Sequence, residues 1–120
     1  MAWRKVGRYG VARGGPSEVV RIPKACRTIS FGTNAGIFWK LDKYKSANVY
    51  SDPDKPQVIG IELVEDETGD RSLLGSPGWL GKQIACSAVL AEKEAKPGLY
   101  YAHRDKDTGY IVIDLDSTYP

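Results

Sequence analysis

The residues best suited to chemistry in this chain are basic and aromatic, and they gather towards its start. Arg4, Lys5, Arg8 and Arg13 alternate with Trp3, Tyr9 and several glycines across residues 1–17. Arginine presents a planar, permanently charged group with several donors for phosphate. Trp and Tyr rings offer faces on which bases stack whatever their sequence. Glycine lets a backbone follow a groove closely. Further cations follow at Arg21, Lys24, Arg27, Lys40, Lys43 and Lys45. These twelve residues form a candidate nucleic-acid-binding set, with DNA or RNA as the expected partner. The competing reading of the same residues is a solvated charged face behind a flexible start.

Other chemistry finds no motif. His103 is the single histidine, and no local pattern supplies it with a nucleophile or a carboxylate. Cys26 and Cys86 are far apart and neither sits in a CxxC pair. A structural zinc needs four ligands, whereas Cys and His together number three. Asp52 with Asp54, and Asp105 with Asp107, offer two side chains each where a hard cation takes about six oxygens. Nucleophile-elbow, phosphate-loop and zinc-protease motifs are missing. The expectation is a binding protein, not an enzyme, with no cofactor and no metal, and with both thiols reduced.

Composition narrows the class further. The chain has 120 residues, 42% hydrophobic and 27% charged, which suits one compact domain. No apolar run approaches the ~20 residues of a membrane helix, and no apolar stretch follows the first residues as in a secretory signal. A cytoplasmic protein without membrane contact is the expectation. The net charge is +2, but residues 1–60 hold eleven Lys/Arg against four Asp/Glu, and residues 61–120 hold six against eleven. A basic pole and an acidic pole are therefore expected if the fold keeps the halves apart. The acidic half, with Trp79, Tyr100, Tyr110 and Tyr119, supports a second functional reading. That alternative is a small viral or mobile-element protein that binds and inhibits a host protein, an acidic surface imitating nucleic acid.

These residues must be placed by short elements. Period-two patterning predicts strands at 18–22, 27–31, 45–50, 57–64, 82–86, 99–103 and 110–115. Thr33 or Asn34 is expected to cap a helix running to Lys40 or Leu41, and Ser87 one over 88–95. Turns are expected at Ser51–Pro56 and Arg104–Gly109. Ile59-Gly60-Ile61-Glu62-Leu63 matches Ile111-Val112-Ile113-Asp114-Leu115 at an offset of 52, and the same offset pairs Ala47 and Val49 with Leu99 and Tyr101. The implied organisation is a basic arm (1–17), a first strand–helix–hairpin module (18–66), a connecting loop (67–81), a second module (82–116) and a tail (117–120). The expected fold class is α+β, mainly β, with the two modules forming one pseudo-two-fold domain.

The segment Val20-Arg21-Ile22-Pro23-Lys24-Ala25-Cys26-Arg27 resembles the opening of the AbrB/SpoVT-type swapped-hairpin DNA-binding modules. In that family a strand, a short helix and a hairpin intertwine with a second copy. The resemblance covers residues 20–64, with 82–115 following in outline. It implies DNA as ligand and admits a homodimer. The chain departs from the family at Thr28-Ile29-Ser30-Phe31, which reads as strand where the helix should follow, and the second half has no Ile-Pro-Lys.

Overall fold

A computed structural model describes residues 17–75 and 81–119. Eight strands and two short helices follow in order: β1 (Val19–Ile22), β2 (Thr28–Phe31), α1 (Thr33–Phe38), β3 (Ser46–Asp52), β4 (Lys55–Val64), β5 (Arg71–Leu74), β6 (Lys82–Ala85), α2 (Ser87–Glu92), β7 (Gly98–Arg104) and β8 (Ile111–Thr118). A single 3-10 turn, Leu41–Lys43, leads from α1 towards β3. The strands close into one barrel in the order β1-β2-β6-β5-β3-β4-β8-β7, and every neighbouring pair is antiparallel.

Alternation of side chains makes the barrel. Val20 and Ile22, Ile29 and Phe31, Ala47, Ile59 and Ile61, Leu73, Ile84, Tyr100 and Ala102, and Ile111 and Ile113 are all buried and belong to one core. Each occupies the inward position of its strand, with polar or half-exposed residues between. Burying an isoleucine fully stabilises by roughly 1.5–3 kcal/mol, so the seven buried isoleucines dominate the core. Side chains fill the interior, as an eight-stranded barrel requires.

The expected α+β class is overturned. The protein is a closed antiparallel β-barrel, with two helices of six residues each among the described residues. Strand–helix–hairpin modules do not exist as units, because β1 pairs with β7 and β5 pairs with β3. Arg71–Leu74, inside the expected connecting loop, is strand β5: Ser72 pairs with Ser46 and Leu73 with Ile84. The ungapped repeat register also fails on β7. There Tyr100 and Ala102 point inward, while Leu99 and Tyr101, the expected counterparts of Ala47 and Val49, are 38% and 47% exposed. A one-residue slip exchanges the two faces of a strand, and register is irregular between Tyr100 and Ala102. The expected caps are not used either. Gly32 and Cys86 occupy the N-cap positions without side-chain hydrogen bonds, and left-handed Lys40 (φ 54°) and Glu94 (φ 53°) follow the two helices closely.

One connection holds the barrel wall from outside. β4 and β5 flank β3 and run parallel to each other, so residues 65–70 must pass over β3. This strap buries Ser46, whose Oγ donates to the Asp66 carbonyl (2.6 Å) and accepts from the Gly69 N–H (2.9 Å). The Asp70 N–H donates to Asn48 Oδ1 (2.8 Å). A Cβ at Gly69 would lie 2.6 Å from Ser46 Oγ and 2.9 Å from the Ala47 nitrogen. Backbone cannot yield as a long side chain can. Gly69→Ala should therefore lower unfolding stability by about 1–3 kcal/mol, the usual cost of overpacking. Urea denaturation checks it, and an unchanged midpoint would mean that the strap does not press on β3.

Candidate nucleic-acid interface

Antiparallel pairing gives the barrel two ends. One holds the β1–β2 connection, the β3–β4 turn and Cys86 with α2. The other holds α1, the strap and the β7–β8 turn. The described members of the candidate set divide between these ends. Arg21 lies on the outer face of β1, and Lys24 and Arg27 lie on the connection that follows it, all three exposed. Lys40, Lys43 and Lys45 follow α1 at the opposite end. Trp3, Arg4, Lys5, Arg8, Tyr9 and Arg13 lie outside the described residues.

The two groups differ in their electrostatic surroundings. Lys43 forms the single ion pair among the described residues, with Glu65 at 3.2 Å. Its ammonium also lies 5.6 Å from the Tyr44 ring centroid, and Arg104 lies 6.0 Å from the same centroid, its guanidinium donating to the Tyr44 hydroxyl (3.3 Å) and to the Gly109 carbonyl (3.0 Å). Lys45 helps hold the Asp66 carboxyl down. This end is thus a mixed field beside the acidic strap.

The Arg21 end is different. The contiguous strands β1, β2, β6 and β5 carry Arg21, Lys82 and Arg71 and no Asp or Glu at all. The other wall, β3, β4, β8 and β7, carries Asp52, Glu62, Asp114 and Asp116. Arg71 joins the basic group through the backbone around β6. Its Nη1 donates to the Ala85 carbonyl (2.7 Å), and the adjacent Cys86 N–H donates to the Arg27 carbonyl (2.9 Å). Arg21, Lys24, Arg27 and Arg71 therefore frame one end of the acid-free wall. Thr28 and Ser30 on β2 and Gln83 on β6 supply neutral donors between them.

The expected basic and acidic halves do not form two poles. Each half contributes two strands to each wall, so segregation follows the walls and not the order of the sequence. Arg71 and Lys82 escaped the sequence reading because both lay in or beside the expected loop. The acidic, aromatic second half is also not one face. Tyr100 is buried, and its hydroxyl donates to the Lys96 carbonyl (2.6 Å). Tyr110 instead stacks on Tyr50 of the first half, centroids 5.0 Å apart and planes 5° from parallel, above Gly60. Trp79 lies outside the described residues.

Among the described residues no cluster of three or more His, Cys, Asp or Glu side chains could hold a metal ion. Cys86 is buried at the start of α2, Cys26 half-buried before β2, and His103 exposed on β7. No helix among the described residues is long and apolar enough to cross a membrane. Comparison of the chain with protein-family models, with curated proteins and with solved structures finds no match.

Burial pushes the Cys86 thiol up, against a smaller opposing pull from Arg71. A thiol reagent at neutral pH should therefore modify one cysteine, Cys26, in the native protein, and the second only on unfolding. Rapid modification of both would contradict the packing of Cys86. Asp66 and Asp105 are held below the ordinary carboxylate range, chiefly by hydroxyl donation from Thr68 and Thr108 and then by the same residues' N–H groups. A depressed folded-state pKa adds stability above the unfolded value, and that stability is lost as pH falls through the folded value. Thr108→Val should shift the Asp105 titration to higher pH in carbon-13 NMR of the carboxyl; an unmoved curve would assign the depression to another cause.

Proposed function

We propose that this protein binds the sugar–phosphate backbone of a nucleic acid along the wall formed by β1, β2, β6 and β5. The observation that carries this reading is the absence of any carboxylate from four contiguous strands whose end is framed by Arg21, Lys24, Arg27 and Arg71. Guanidinium groups match phosphate oxygens in a rigid fork, and lysine adds a mobile point charge. Thr28, Ser30 and Gln83 add hydrogen-bond donors without charge. Val20–Arg27, the segment that resembles the AbrB/SpoVT opening, supplies three of the four framing cations. Arg4, Lys5, Arg8 and Arg13 precede β1 in the sequence and lie outside the described residues. No base-reading element is part of the reading; backbone contacts position a protein without selecting sequence.

The test is fluorescence anisotropy with single- and double-stranded DNA and RNA over a range of salt. Each neutralised phosphate contributes a slope of about −0.9 for duplex DNA, or about −0.7 for single strands, to the plot of log affinity against log salt. Replacing Arg21, Lys24 and Arg27 together by Gln should flatten that slope by about two to three contacts, and should weaken binding uniformly across sequences. The reading fails if the protein binds no nucleic acid at low salt, or if the triple variant keeps the original slope.

A further inference from the structure

Two sites on this barrel set a tyrosine ring beside a glutamate, and the chain supplies cations to one of them. Where the 3-10 turn leads into β3, Lys43 and Arg104 lie 5.6 and 6.0 Å from the Tyr44 ring centroid, and Lys43 pairs with Glu65. On the outer face of β3 and β4, Tyr50 stacks against Tyr110 and its hydroxyl donates to Glu62 Oε1 (3.1 Å). Among the described residues no Lys or Arg pairs with Glu62 or lies over either of these two rings.

Strand alternation builds the second site. Ile59 and Ile61 point into the core, so Gly60 and Glu62 face outward. Tyr50 pairs with Gly60 and Asn48 with Glu62, which puts all four on one face. Tyr110 precedes Ile111, the partner of Ile61, and so comes level with Glu62. Asn48 Nδ2 donates to the same Glu62 Oε1 (2.9 Å), while Asn48 Oδ1 accepts from the Asp70 N–H. Oε1 therefore has two neutral donors, and among the described residues no donor reaches Oε2. The carboxylate is fixed in place without being neutralised. Tyr50 beside it is 43% exposed.

We propose that this face receives an arginine side chain of a partner protein, its guanidinium plane on the Tyr50 ring and one N–H donated to Glu62 Oε2. A guanidinium is planar and weakly hydrated, so it stacks on an aromatic face while still donating in its own plane. An ammonium is compact and strongly hydrated and gains less from the ring. Charge complementarity selects a basic protein segment over a lone amino acid. Around Glu62 the same wall carries Asp52, Asp114 and Asp116, and Asp70 follows Asn48 at its edge. The wall's two Lys or Arg residues, Lys55 and Arg104, sit at opposite ends of the barrel. The inference is independent of the nucleic-acid reading, which concerns the other wall.

The experiment is an amide NMR titration of the full chain with an octapeptide alternating arginine and glycine, and with its lysine counterpart of equal charge. The arginine peptide should shift the amides of Tyr50, Gly60, Glu62 and Val112 and bind about three- to fivefold more tightly than the lysine peptide. Glu62→Gln keeps an oxygen for Asn48 and Tyr50 but removes the charge, and should weaken the arginine peptide about fivefold. Asp116→Asn removes the same charge elsewhere on the wall and should change affinity by less than about twofold. Tyr50→Leu should abolish the preference for arginine; if that variant does not fold, Glu62→Gln against Asp116→Asn decides. Equal affinity for the two peptides overturns the proposal, as do equal losses in the two charge variants. Arginine amide binding as tightly as the peptide would make the ligand a small molecule and not a protein. Neutral oligosaccharides shifting these amides where the peptides do not would make the stack a sugar platform, and the proposal falls.

Discussion

Closure of this barrel rests on two antiparallel contacts between segments far apart in the chain. β1 pairs with β7 over four positions, from Val19↔Tyr101 to Ile22↔Gly98, and β5 pairs with β3 at Ser46↔Ser72 and Ala47↔Arg71. Each hairpin, β3–β4 or β7–β8, would alone expose the edge of its first strand. A two-stranded ribbon of that kind is marginal in water. The exchange gives both edges a partner, and β2 against β6 and β4 against β8 close the ring. A closed ring has no edge left for another chain to pair with. The isoleucines that point inward from β2, β4, β6 and β8 then share one interior, which neither half could have filled.

That exchange explains why much of the fold was legible locally and little of it globally. Seven of the eight strands were readable, because alternation such as Ile59, Ile61 and Leu63 is a property of a few consecutive residues. β5 was not readable. Arg71-Ser72-Leu73-Leu74 has one inward residue, Leu73, and sits between an acidic turn and a glycine-proline cluster; its strand character comes from β3 and β6 on either side. The inward face of β7 was misread for a related reason. Leu99 and Tyr101 are as apolar as Tyr100 and Ala102, and the face is chosen by pairing to β1 and by the irregular register with β8. Helix ends failed through the opposite error. Threonine, asparagine and serine were available as caps, yet Gly32 and Cys86 sit at the N-cap positions because strand ends fix the backbone there.

The candidate site was legible in composition and not in assembly. The cations were identifiable by type, but nothing local separated Arg21, Lys24 and Arg27 from Lys40, Lys43 and Lys45. Chain direction separates them: β2 carries the backbone from one end of the barrel to the other between the two groups. The second group then meets Glu65 and the acidic strap, and the first meets Arg71 from the other half. A partner contributed by the other half of the chain has no signature in either segment alone.

The small net charge of the chain is consequently a poor guide to its field. Interleaving two strands from each half into each wall cancels the contrast between the halves and creates another, between a wall without carboxylates and one with Glu62, Asp114 and Asp116. Whether that contrast is felt outside the protein depends on distance. Eight strands at about 4.8 Å spacing close a ring of roughly 38 Å, hence about 12 Å across, so the centres of the two walls lie farther apart than the Debye length of about 8 Å at physiological salt. A polyanion approaching the β1-β2-β6-β5 wall is therefore screened from the acidic wall by the mobile ions of the solvent around the barrel. Lowering the salt extends the reach of both walls at once. The attraction gained at Arg21, Lys24 and Arg27 is then partly opposed by Asp114 and Asp116, which sets a limit that a uniformly basic surface would not have.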